Sequence, residues 1–140
     1  MLTGPEVIIA LKVAVSAVTL LFLCSLLALL AGRYRLHGRI NFAFFVLTTV
    51  ALMGLELVAR FLDPALFSYF ESQPELKRAL STHLCFSVPA AALMPVMLLT
   101  GLTHRRRVHL CLAVLFGVLW TGTVITGLFY LPHTSSPVLP

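Results

Sequence analysis

The chain has 140 residues, of which 59% are hydrophobic and only 11% charged, and its mean hydropathy is +1.00. Soluble domains run nearer about 45–50% apolar and about 25% charged, so this composition excludes an ordinary soluble fold. The formal net charge of +5 does not point to nucleic acid. Six of the ten Lys and Arg are gathered in two short turns between apolar runs, which makes the excess a matter of membrane topology.

Four apolar runs, residues 7–31, 40–62, 79–102 and 110–131, are each about long enough to cross a ~30 Å hydrocarbon core, which takes roughly 20 helical residues. They consume nearly the whole chain and leave no room for a separate soluble domain, a nucleotide-binding loop or a long linker. The expected fold is all-α, one domain over residues 1–140, a four-helix transmembrane bundle of up-down topology. Arg33, Arg35 and Arg39 follow the first run, and Arg105, Arg106 and Arg107 follow the third. Under the positive-inside rule both turns are cytoplasmic and both termini lie on the outer (periplasmic) side of a bacterial cytoplasmic membrane. Glu6 precedes the first run with no basic segment before it, so no cleavable signal peptide is expected. Cys24, Cys85 and Cys111 fall inside the runs without paired spacing and read as buried small apolar residues. No internal repeat is strong enough to claim.

In span one, Lys12, Ser16 and Thr19 form one helical stripe. Lys12 is close enough to the outer end to snorkel there. His37 and Asn41 sit one turn apart at the inner end of span two and read as solvated or headgroup-bonded. Glu56 and Arg60, at i and i+4 near its outer end, stand in the favourable order for an ion pair, and Pro64 closes the helix. Residues 64–71, with Phe67, Tyr69 and Phe70, suggest a short interfacial helix. Pro89 and Pro95 should kink span three, and Ala90, Ala91 and Ala92 permit close helix approach. Span four carries Thr123, Thr126 and Tyr130 along one stripe, with Trp120 expected to pack in the core or against lipid. The tail over residues 132–140 is expected to be disordered or ordered only by a partner.

Depth arithmetic at 1.5 Å per residue puts Lys12, Glu56, Arg60, His83, Thr126 and Tyr130 in one outer-leaflet layer, where polar groups should turn toward the bundle interior. Three readings of this polar cluster stay open. It is a structural ion pair of Glu56 with Lys12 or Arg60, with His83 bonded to hydroxyls. Alternatively it is a metal or haem site using His83 with Glu56, although one histidine and one carboxylate are too few for a closed four-coordinate site. The last option is a proton or quinol site on the same two residues. Nothing supplies a nucleophile, an oriented base or a phosphate cradle, so an enzyme is not expected.

The segment Leu36-His37-Gly38-Arg39-Ile40-Asn41 resembles the Leu-His-Arg-Arg-x-Met entry to span two of the small CtaM/YozB-like (DUF-four-twenty) membrane proteins. Ser81-Thr82-His83 is similar to that family's Ser-His at the start of span three, and His109, Trp120 and Thr126-Gly127-x-x-Tyr130 to the landmarks of its last span. The likeness runs from about Ser16 to Leu131. It implies a four-helix fold that helps haem-copper oxidases mature, and it matches the family histidines to His37, His83 and His109. Where the family has a histidine near the outer end of span two, this chain has Glu56 and Ala59, and Lys12 stands in place of an Asn in span one. These departures turn a histidine pair able to grip a metal into a Lys–Glu–His cluster.

The resulting expectation is a membrane protein that assists assembly or cofactor insertion of a respiratory haem-copper oxidase. Its partners would be membrane lipid and a larger respiratory complex, with no nucleic acid. The alternatives are a permanent small accessory subunit of a respiratory or photosynthetic complex and, more weakly, a haem- or quinol-binding redox protein. The cofactor stays open between haem, copper and none, with none favoured for the chain itself.

Overall fold

A computed structural model describes residues 4–57, 61 and 74–130. Four helices run antiparallel in sequence order: α1 (Gly4–Leu30), α2 (Tyr34–Leu57), α3 (Pro74–Leu102) and α4 (Arg106–Ile125). The last continues without a break into a π-helical segment, Thr126–Tyr130. The described residues are all-helical, and all four helices are long and apolar enough to cross a membrane, as in a multi-pass membrane protein. The interfacial helix expected over residues 64–71, the tail beyond 131 and Arg60 lie outside the described residues.

The helices start earlier than the apolar runs. Hydropathy reports which residues tolerate lipid, whereas Arg, Leu and Tyr are adequate helix formers regardless of their polarity. The arginines therefore belong to helical turns: α2 takes in Arg35 and Arg39, and α4 takes in Arg106 and Arg107. α3 opens on Pro74, a position where the missing N–H costs no hydrogen bond, with Glu75 favourably placed against the positive end of the helix dipole. Pro89 and Pro95 both face outward, and α3 continues through them as one helix.

Contacts are dense within the pairs α1–α2 and α3–α4 and sparse between the pairs, so the molecule is two helical hairpins joined through a thin core. That core consists of Val18, Phe44, Ala90, Met94, Phe116 and Trp120. Trp120 lies edge-on to Phe44 at 4.9 Å between ring centroids and stacks on Phe116 at 5.7 Å, and Phe22 meets Phe116 edge-on at 5.6 Å. Such pairs each contribute about 0.5–1.5 kcal/mol beyond the area they cover. Ala90, 1% exposed, is the small residue that lets the hairpins close here. All three cysteines, expected to be buried, are instead exposed. When the surroundings are lipid, a small apolar thiol has no reason to be inside.

The hairpins are built alike. An offset of 72 residues (109 less 37) carries His37 onto His109, Leu30 onto Leu102, Arg33 onto Arg105, Arg35 onto Arg107 and Phe44 onto Phe116. The backbone follows the same offset. Gly32 N–H donates to Leu29 O at 3.0 Å and Arg33 N–H to Ala28 O at 2.8 Å. In the second hairpin His104 N–H donates to Gly101 O at 3.3 Å and Arg105 N–H to Thr100 O at 3.1 Å. Both are Schellman closures, which need a left-handed residue just past the helix. Gly32 supplies it at φ 70°, and His104 at φ 57°. The two hairpins thus close on the same turn geometry at a common offset of 72 residues. Most matched positions are Leu or Val, which any apolar helix shares, and the two left-handed positions carry different residues.

Two substitutions check this packing. A left-handed histidine costs about 1–2 kcal/mol, partly offset against glycine by glycine's greater chain entropy. His104→Gly should therefore stabilise the protein by up to about 1 kcal/mol, read as a higher Tm in detergent. A Cβ added at Gly122 would stand 2.3 Å from Phe86 Cδ1, whereas one at Gly117 meets nothing within 4 Å. Gly122→Ala should cost about 1–3 kcal/mol through overpacking, with Gly117→Ala neutral or slightly stabilising. Equal melts for the two alanine variants would show that the Gly122–Phe86 contact is not tight.

Candidate functional site

Two groups of polar side chains lie at opposite ends of the bundle. At the end away from the arginines, Lys12 on α1 reaches across to the π-helical segment, where Nζ donates to Leu128 O at 2.9 Å. The last carbonyls of a helix lack intrahelical donors and carry the negative end of its dipole, so an ammonium group is a suitable cap. Lys12, read as able to snorkel outward, is half-buried and turned to this carbonyl. One turn away, Thr126 Oγ1 donates to Gly122 O at 2.7 Å and lies 3.0 Å from His83 Nδ1. Because the hydroxyl hydrogen is committed to Gly122 O, Nδ1–H of His83 is the donor to the Thr126 oxygen. The Nε2 lone pair of His83 is left as the ring's acceptor. The ring rests on Gly127, where a Cβ would come within 3.1 Å of Cε1.

Of the six side chains placed in one layer from sequence, Lys12, His83 and Thr126 meet around the end of α4. Glu56 is exposed in the last turn of α2, where a long side chain can reach out of the bundle. Tyr130 is 61% exposed. The π-helical i→i+5 pattern puts more residues in each turn than an α-helix, which carries Tyr130 off the face holding Thr123 and Thr126. Arg60 is outside the described residues, and so is any pairing it makes with Glu56. Among the described residues no three His, Cys, Asp or Glu side chains come together as a metal cluster.

At the arginine-rich end, His37 and Asn41 are tied to Ser25 on α1, which is fully buried at 0% exposure. His37 Nδ1 lies 2.9 Å from Ser25 O and 2.8 Å from Ser25 Oγ, the Ser25 hydroxyl donates to Asn41 Oδ1, and Asn41 Nδ2 lies 3.0 Å from His37 Nε2. One assignment of hydrogens satisfies all of these. Nδ1–H is shared by the Ser25 oxygens, Oγ–H goes to Asn41, and the Asn41 amide donates to Nε2. The ring of bonds is closed, with one of the two Asn41 amide hydrogens outside it.

The second hairpin repeats half of this arrangement. His109 Nδ1 lies 3.1 Å from Met97 O and 3.2 Å from Thr100 Oγ1, again twelve residues back along the chain. Thr100 Oγ1 itself donates to Met97 O at 3.0 Å. His37, His83 and His109, the three histidines matched by the resemblance, thus each bind across two helices, and His37 is not simply solvated. Ser25 and Thr100 were not singled out from sequence, because a hydroxyl in a run of leucines carries no local signature. The shared turn geometry puts each histidine over a carbonyl twelve residues earlier, that of Ser25 in the first hairpin and that of Met97 in the second.

The Ser25–His37–Asn41 ring is testable by a double-mutant cycle on Ser25→Ala and Asn41→Leu. Each single change leaves a buried polar partner unsatisfied and should cost about 1–3 kcal/mol, measured by reversible unfolding in detergent. The double variant should cost less than the sum by about 1 kcal/mol. Strict additivity would mean that the ring does not act as a unit. Compared with known proteins, the chain matches no family model, no curated protein and no solved structure.

Proposed function

We propose that this protein is a non-catalytic membrane factor that assists assembly or cofactor insertion of a respiratory haem-copper oxidase. It would lie in a bacterial cytoplasmic membrane with its two arginine-rich turns on the cytoplasmic side and its termini outside. The observation that carries this reading is the behaviour of the residues behind the CtaM/YozB-like resemblance. His37, His83 and His109, with Thr126, all hold helices together through hydrogen bonds from one helix to the next. Such residues preserve a scaffold whose outward faces are available to a larger membrane protein. Exposed apolar side chains along all four helices, among them Leu20, Leu52, Leu99 and Val114, are compatible with lipid or with a transmembrane partner. His83 keeps an Nε2 lone pair, which gives the metal or haem reading its single available nitrogen in the outer group.

Disrupting the gene in its native cell should lower assembled oxidase, seen as weaker haem absorbance of the membranes and lower cyanide-sensitive respiration, with subunit transcripts unchanged. Wild-type oxidase content in that strain would refute the assembly role. Mild-detergent purification separates this proposal from the accessory-subunit alternative. A factor is substoichiometric and absent from the mature enzyme, whereas a subunit stays at fixed ratio through a high-salt wash.

A further inference from the structure

Where the two arginine-rich turns face one another the hairpins part, leaving a cleft of about 1740 Å³. Its apolar walls include Phe22, Phe44, Phe116, Met94 and Met97, and its rim carries Arg35, Arg39 and Arg106. From Arg35 to Phe44 is nine residues, about 13 Å along α2. The cleft therefore grades from cationic to wholly apolar over the depth of several methylene groups. No acidic side chain lines it. The described carboxylates, Glu6, Glu56 and Glu75, all belong to the opposite ends of their helices. Among the described residues, the three rim guanidinium groups have no hydrogen-bond or ion-pair partner.

We infer that this cleft is a binding site for one anionic phospholipid, its phosphate held by Arg35, Arg39 and Arg106 and its acyl chains laid against the half-buried Phe22, Phe45 and Met97 above the aromatic core. Guanidinium groups pair with phosphate oxygens in bidentate fashion, which suits donors on two opposed helices. A zwitterionic headgroup brings its own cation and leaves part of the rim charge uncompensated, so a net negative lipid is favoured. The lipid fills the gap where the hairpins touch least and bridges α2 to α4. The inference is independent of the oxidase reading, since it needs only the cleft, its charge and a bilayer.

The test uses the full-length protein, delipidated in a neutral detergent, with phosphatidylglycerol, phosphatidylcholine of the same acyl chains, or inorganic phosphate added. Phosphatidylglycerol should raise Tm by several degrees, with little effect from the other two. Arg39→Gln with Arg106→Gln should weaken its apparent affinity about 30-fold, at about 1 kcal/mol for each cation near the membrane surface. Arg33→Gln with Arg105→Gln removes the same charge from the same end but outside the cleft, and should leave the response intact. Ala113→Phe, which fills the cleft without changing charge, should abolish the response while the protein still folds. Equal gains from phosphatidylcholine or from phosphate alone would overturn the site, as would equal losses in the two arginine pairs. An intense visible absorption band in the purified protein would also overturn it, by giving the cleft to a haem.

Discussion

The fold depends on one constraint: polar groups held within lipid must find their hydrogen-bond partners inside the protein. Most polar features of the bundle answer it. The Schellman closures at Gly32 and His104 use up the carbonyls at the ends of α1 and α3, and Lys12 reaches across to the end of α4. The serine and threonine hydroxyls within the helices mostly turn back onto carbonyls of their own helix, as Thr19 does to Val15 O at 2.6 Å and Thr123 to Leu119 O at 2.9 Å. Two buried groups do not comply, Thr48 Oγ1 and Trp120 Nε1, which have no partner among the described residues. They stand at equivalent positions of the two hairpins, so both exceptions fall at one level of the aromatic core.

The shared turn geometry explains where two of the histidines fall. A hairpin with a three-residue turn brings the first turn of its second helix against the last turns of its first helix. A histidine three residues into that helix then lies over a carbonyl twelve residues back. His37 and His109 occupy this place identically, while their surroundings have diverged: Ser25 and Asn41 close a ring around the first, and only Thr100 assists the second. The opposite end shows the reverse asymmetry. Lys12 on the first hairpin and His83 on the second both serve the end of α4. The second hairpin is therefore tied to the first at one end by a capping cation, and through the middle by aromatic rings.

The four spans, their order and the arginine-rich turns were legible because hydropathy over twenty residues is a strong signal that tertiary context seldom reverses. Helix ends were not, since Tyr34 and Arg106 are helical without being apolar. The meeting of His83 with Thr126 could be inferred from depth alone, which fixes height in the bundle. Depth does not fix azimuth, and so Tyr130 was grouped with them although the π-helical segment turns it away. Ser25 shows the other gap. Its significance lies in a residue twelve positions later on another helix, and no periodicity within α1 reports that.

Burial in this molecule also inverts the meaning it has in water. At most 17% of any span's most apolar stretch is buried within the bundle, so most leucines and valines face outward. For a soluble protein such a surface would be an aggregation hazard. In a bilayer it is neutral, because lipid tails solvate these side chains as well as other side chains do. Stability then comes from the few places where fit or hydrogen bonding exceeds what lipid can offer: the rings around Trp120, the Gly122–Phe86 contact and the histidine-centred bonds. Of these, His37, His83, His109, Trp120 and Thr126 are also residues that carry the resemblance. A sequence held to such positions can exchange almost all its outward aliphatic residues for other aliphatic ones without altering the scaffold, because lipid solvates them alike.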